Sequence, residues 1–397
     1  MRTHPLVVSL TALLALSGTT AARAQQARPS DPRQTRCVLR VTGMERAVER
    51  NDLSYRTAAD SVRGFDLFLP PGATSTKPVP AVIFFNGGSG TNPPQRKWGI
   101  YRDWARLATT RGLAAMVPDA AAGHATAEMG SALEHLRANA ARYGIDPDRI
   151  AIWGCSMHVS EGLPFAMDPA RRIRAVVMYY GVTDTAAMDP DKPMLLARAG
   201  LDMPVMNQAM AAYAAKAVRV GAPLTWIDLP SLHHAFDAFE DNALSRSVVE
   251  TTLDFMEREL SPEGIRARSA YPEERASRRL SAARDWPAAL RAAESWVAVA
   301  PEDGGAAAIL AQALYQTQDF ARAANEFERA AQLGGQQGAH RYNAACCRAR
   351  LGEKERALTL LEQAAEGYRG DRSSWARDPD LASLRDEPRF RAVLAGK

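Results

Sequence analysis

An apolar run ending in Gly-x-Ser constrains this chain more than any other feature: Arg149-Ile150-Ala151-Ile152-Trp153-Gly154-Cys155-Ser156-Met157-His158. Its apolar part reads as a buried strand, and the Gly-x-Ser at its end allows a sharp turn into a helix. A wholly apolar strand must be covered on both faces, which is the situation inside a parallel sheet. The surrounding sequence repeats the theme. Strands are expected at 53–58, 65–69, 81–85, 113–117, 150–153, 173–180, 194–197 and 224–229, with helices at 99–110, 125–142, after Ser156, and at 206–219 and 245–259. That alternation predicts the α/β class with a doubly wound, mostly parallel sheet. Ligands of such sheets sit at the carboxyl ends of the strands. Ser156, Asp202 and His234 each follow one of these ends.

The pattern stops near Pro262. Beyond it strand signals vanish, and Ala, Arg, Leu and Glu dominate. Asp285-Trp286, Asp319-Phe320 and Glu353-Lys354 recur at a step of 34 residues. Ala289, Ala323 and Ala357 keep the same step, as do Ala293, Phe327 and Leu361. Small residues at that period let paired helices approach closely, and three such units are enough to bury a continuous core. The tail 378–394, with Asp378-Pro379 and Pro388, reads as a terminal cap. The expected organisation is a leader at 1–24, a disordered lead-in at 25–36, an α/β domain at 37–262, a linker at 263–271 and an all-α array at 272–397.

Residues 1–24 carry Arg2, a short apolar stretch at 6–16 and Ala22-Arg23-Ala24 before Gln25, the pattern of a cleaved secretory signal. No later segment is apolar enough to span a bilayer, so a periplasmic or secreted protein is expected. The net charge is +4, of which Arg2 and Arg23 contribute two. That balance gives no footing for a nucleic-acid partner. Cys37, Cys155, Cys346 and Cys347 show no zinc-type spacing and are expected to be buried free thiols. His124 and His135 read as ordinary surface or core residues. There is no His-Glu-x-x-His set and no Gly-x-Gly-x-x-Gly after a strand. No metal and no cofactor are expected.

A serine hydroxyl is a poor nucleophile unless a base takes its proton and donors hold the developing oxyanion. Ser156 is placed to attack and His234 to act as base. An acid after an intervening strand would orient the imidazole. Asp202, after the Gly200 turn, is the first choice and Asp184 the alternative. Asp228 lies within a strand, and Asp237 is close to His234 in sequence. The oxyanion donors are expected to be the N–H of Met157 and that of Gly87 or Gly88, in the Asn86-Gly87-Gly88-Ser89-Gly90 turn after the strand at 81–85.

These segments resemble the dienelactone hydrolase-like branch of the α/β-hydrolases over residues 53–260. The resemblance rests on Asn86-Gly87-Gly88, Tyr143-Gly144-Ile145-Asp146-Pro147-Asp148-Arg149-Ile150, Gly154-Cys155-Ser156, Ala199-Gly200-Leu201-Asp202 and His234-Ala235-Phe236. It implies metal-free hydrolysis of a small-molecule ester or lactone. Two departures stand out. Asn86 replaces a histidine usual before the glycine pair, and His158 replaces the usual glycine two residues after the nucleophile. Both are candidate pocket residues, and His158 is expected to edge the acyl pocket. The branch's namesakes use cysteine as nucleophile, but Cys155 lacks the flanking glycines. The repeat resembles the tetratricopeptide family, with Trp296 where the other units have Ala330 and Ala364, and a terminal proline only at Pro301. That likeness implies a surface for a protein or peptide partner. Two alternatives remain open here: a peptidase or acyl-peptide hydrolase on the same fold, and a catalytically silent scaffold.

Overall fold

The computed structural model describes residues 31–87, 93–119, 125–183, 188–334, 336–366 and 372–396. The leader, Gly88, His124 and Asp184 lie outside the described residues. Two compact units are present, one ending at Ile265 and the other beginning at Arg266.

The first unit is built on eight strands: β1 Val48–Arg56, β2 Val62–Leu69, β3 Val79–Phe85, β4 Ala114–Pro118, β5 Ile145–Cys155, β6 Ala175–Tyr179, β7 Met194–Ala199 and β8 Leu224–Leu229. Their order in the sheet is β1-β2-β4-β3-β5-β6-β7-β8. β2 runs antiparallel to both β1 and β4, and every other pairing is parallel. This is the α/β-hydrolase arrangement, and it bears out the expected mostly parallel, doubly covered sheet. The helices are α1 Gly99–Thr110, α2 Ala125–Ala138, α3 Ala140–Tyr143, α4 Val159–Met167, α5 Pro204–Val220, α6 Phe236–Phe239 and α7 Ala243–Leu260.

Alternate residues of each central strand feed two apolar layers. On one face Phe84, Trp153, Tyr179 and Ala197 pack with Trp104 of α1 and with Val249 and Leu253 of α7. On the other, Ile83, Phe85, Ile152 and Val176 pack with Met129 of α2, Leu163 of α4 and Tyr213 of α5. All central-strand residues named here are buried, the reason those strands read as unbroken apolar runs rather than alternating ones.

Two expected boundaries need correcting. Residues 31–36 of the lead-in are ordered. Asp31 accepts from Arg33 N to cap a short 3-10 turn, Thr35 is buried, and the next residue, Cys37, donates its N–H to Asp103 of α1. The stretch 263–271 is helical rather than a loop: α8 spans Pro262–Ser269, and α9 spans Tyr271–Ala282.

The second unit continues as α10 Trp286–Val299, α11 Gly304–Gln316, α12 Phe320–Leu333, α13 Gln337–Arg350, α14 Lys354–Ala365, α15 Ser373–Arg377 and α16 Pro388–Leu394. From α9 to α14 each helix packs on the next in sequence. The 34-residue step has a physical basis here. Asp285 and Asp319 are N-caps whose carboxylates accept from Ala288 N and Arg322 N, satisfying N–H groups that a helix start leaves unpaired. Ala289, Ala323 and Ala357 are wholly buried. Leu381, Leu384, Phe390 and Val393 close the apolar core of this unit.

Candidate active site

β5 delivers Ser156 onto a strained turn. Its φ is +55°, a left-handed conformation that a residue with a side chain adopts only when its surroundings enforce it. The enforcement is steric. At Gly181, just after β6, a Cβ would stand 2.4 Å from Val159 Cβ and 2.5 Å from Ser156 O. On the other side of the turn, a Cβ on Gly87 would stand 2.7 Å from Ser156 Cβ. Bare backbone therefore presses on the serine from the ends of both neighbouring strands.

The β7 and β8 ends are stitched together by Gly200 N to Leu229 O (2.8 Å) and Leu201 N to Leu232 O (3.0 Å). Asn207 of α5 holds the Asp202 turn by donating Nδ2 to Gly200 O at 2.9 Å. As a result Asp202 meets His234. Asp202 Oδ2 lies 2.6 Å from His234 Nδ1, and His234 Nε2 lies 2.9 Å from Ser156 Oγ. The other oxygen of Asp202 accepts from Met203 N at 2.7 Å. The imidazole is thus fixed with Nδ1–H toward the acid, leaving Nε2 free to accept the serine proton. His233, which stands next to His234 in the sequence, instead places Nδ1 3.2 Å from Glu240 Oε1. Asp228 is bound by Arg198 at 2.7 Å.

Met157 follows Ser156 at the start of the turn leading into α4, where N–H groups have no intrahelical acceptor. Gly87 does not fit the expected donor role. Its N–H is already engaged, lying 3.1 Å from both Tyr101 Oη and Cys155 Sγ. His158 needs a larger correction. Rather than standing at an open edge, the ring is wholly buried among the described residues, and Nδ1 bonds the carbonyl of Asn86. The imidazole ties Asn86, just after β3, to the turn that follows β5. Asn86 is buried as well, and neither its Oδ1 nor its Nδ2 has a partner among the described residues.

The surroundings of Cys155 work against a reactive thiolate. Burial, with the Asp237 carboxylate nearby, pushes its thiol up to about 12, so the reactive thiolate is scarce at neutral pH. All four cysteines are buried and free. In the second unit Cys346, Asp378 and Asp380 come together. Their carboxylates are already occupied by the hydroxyls of Tyr342 and Tyr315 and by Arg350.

Sequence reasoning missed the support around this constellation. Tyr180 lays its ring against the His234 imidazole, with centroids 4.6 Å apart. Tyr180, Asp237 and Trp104 are all buried around it. A tyrosine at a strand end and an aspartate three residues after a histidine carry no motif that would mark them.

No family model matches the sequence, and no curated protein matches it significantly. Among solved structures the chain is similar to a bacterial heroin esterase, with a TM-score of 0.48 and 15% identity over 56% of this chain and 87% of that one. It is similar also to a fungal esterase from Rhizomucor miehei, with a TM-score of 0.46 and 15% identity over 54% and 84%. A thermophilic esterase from Thermogutta terrifontis gives 0.44 and 18% over 54% and 94%. The fold of the first unit stands on its strand order and register, not on these likenesses.

Proposed function

We propose that the first unit is a serine hydrolase that cleaves carboxylic esters or lactones through an acyl-enzyme on Ser156. The observation that carries this reading is the unbroken relay from Ser156 Oγ to His234 Nε2 and from His234 Nδ1 to Asp202. Ser156 Oγ would attack the carbonyl carbon while its proton passes to His234. The imidazolium would return that proton to the departing alkoxide as the ester bond breaks. Water would then attack the acyl-serine, again losing a proton to His234, and the acid would leave as Ser156 recovers its hydrogen. The N–H of Met157 would face the oxyanion. The segments quoted above support a place in the dienelactone hydrolase-like branch.

The rim supports an apolar substrate. Met157, Val182, Leu201, Met203 and Val205 are all exposed. They flank Ser156, Gly181 and Asp202 in sequence, and Thr183 ties the loop after β6 to α5 by donating Oγ1 to Ala209 O at 2.8 Å. Several large apolar side chains left in water beside a site favour contact with an apolar ligand. A fluorophosphonate should label the protein, and kcat/KM for nitrophenyl esters should rise about three- to four-fold for each methylene added from acetate to hexanoate. Absence of labelling would favour a silent scaffold. A flat chain-length series would remove the apolar rim from recognition.

The leader supports export to the periplasm or beyond. The 34-residue helical step supports a tetratricopeptide-like module that presents a surface to a protein or peptide partner. A chain ending at Ile265 should keep its hydrolysis of nitrophenyl acetate. Loss of that activity in a soluble truncated protein would make the helical unit part of the catalytic machinery.

A further inference from the structure

Asp237 is a wholly buried carboxylate with an unusual set of neighbours. Trp104 Nε1–H donates to Oδ2 at 2.8 Å, and the Tyr180 hydroxyl donates to Oδ1 at 2.6 Å. The same Tyr180 lies with its ring against His234. The other titratable groups facing Asp237 are the thiols of Cys37 and Cys155 and the phenols of Tyr101 and Tyr179. Burial is the main force pushing all of these, and Tyr180, away from ionisation, and the Asp237 charge acts in the same direction. Asp103 lies beyond Cys37 and is paired with Arg40 and Arg106. Among the described residues, no Lys or Arg forms an ion pair with Asp237. Among the described residues, a group that can turn cationic and whose charge acts on it is the His234 imidazole. A buried carboxylate without a cation is costly. Burial raises the Asp237 pKa, while the Tyr180 and Trp104 donors work the other way. Tyr180 itself has a φ of +32°, so this contact is held at some backbone cost.

We propose that Asp237 is a positioning residue for His234. Acting through Tyr180, it fixes the face of the imidazole and favours the imidazolium formed when Ser156 gives up its proton. The inference rests on the proposed hydrolase reading. It adds a second carboxylate to the one that bonds Nδ1.

The test uses the full chain with Asp237→Asn and, independently, Tyr180→Phe. Asn removes the charge but keeps the shape. Phe keeps the ring on His234 but takes away a donor that stabilises the carboxylate. Both changes disfavour the imidazolium, so the acid limb of kcat/KM should move to lower pH, by about one unit in Asp237→Asn and by less in Tyr180→Phe. kcat should fall about ten-fold in Asp237→Asn with KM little changed. An NMR titration of the His234 ring should move in the same direction and requires no substrate. Should Asp237→Asn fail to fold, Tyr180→Phe carries the test. An acid limb and ring titration unmoved in folded variants would overturn the proposal, even if stability fell. If the wild-type chain hydrolysed no ester yet the ring titration moved as described, the hydrolase reading would fail and the coupling of Asp237 to His234 would stand.

Discussion

Ser156→Ala should lower ester hydrolysis by about 10⁴-fold or more and abolish covalent labelling by a fluorophosphonate. The size follows from the arrangement. Without Oγ there is no atom to form the acyl intermediate, and His234 has no proton to accept. What remains is whatever rate the oxyanion donors and substrate binding supply. The substitution should leave the fold intact, because alanine meets the same φ of +55° that serine already tolerates, and no larger atom enters the space beside Gly87. His234→Ala should cost about as much, since the two residues act as one unit and their losses do not add. Cys155→Ala is the informative control. Its sulfur accepts the Gly87 N–H, so its loss should be modest and felt mainly in stability. Retained activity in Ser156→Ala, with loss in Cys155→Ala, would move the nucleophile by one residue and overturn the assignment. Steady-state hydrolysis of nitrophenyl acetate, with thermal melts of each variant, decides the matter.

What the sequence made legible was whatever is set locally or by period. Unbroken apolar strands announced a sheet covered on both faces, and the structure has one, with β3, β5 and β6 packed into both layers. The 34-residue step was visible because a close-packed alanine recurs in all three units, Ala289, Ala323 and Ala357, with a capping aspartate in the first two, Asp285 and Asp319. The serine, the histidine and the acid were legible because each stands just past a strand. His158 was misread because its spacing from Ser156 says only that it lies near that residue. Whether the ring turns toward the substrate or back under β3 depends on Asn86, a residue 72 positions away. Gly87 was misread for a related reason. A glycine after β3 shows that backbone passes close by, but the acceptors that occupy its N–H come from α1 and β5. Asp237 was set aside on sequence distance alone. Its three-residue separation from His234 conceals that Tyr180, reached through the next strand but one, stands between them. Contacts that span separate strands leave no periodic trace, so tertiary packing decides them.

Asp202→Asn should lower kcat by about 10⁴-fold with little change in fold. The carboxylate accepts from His234 Nδ1–H at 2.6 Å, which places the imidazole proton on Nδ1 and the lone pair on Nε2, facing Ser156. An amide can turn its NH₂ toward Nδ1 instead. That would put the ring proton on Nε2, where it meets the serine hydroxyl and cannot accept from it. The negative charge that offsets the imidazolium is lost in the same step. Stability should be nearly unchanged, because the amide oxygen can still accept from Met203 N, the bond Asp202 Oδ1 now makes at 2.7 Å. The Asn207 bonds to the carbonyls of Gly200 and Asp202 hold the turn in either case. The loss should therefore fall on kcat, with nitrophenyl ester KM close to that of the parent. Asp184→Asn, measured beside it, should stay near parental activity. If the two outcomes were exchanged, the acid would come from the end of β6 rather than β7, and the bond between Asp202 and His234 would be a structural tie rather than part of the reaction.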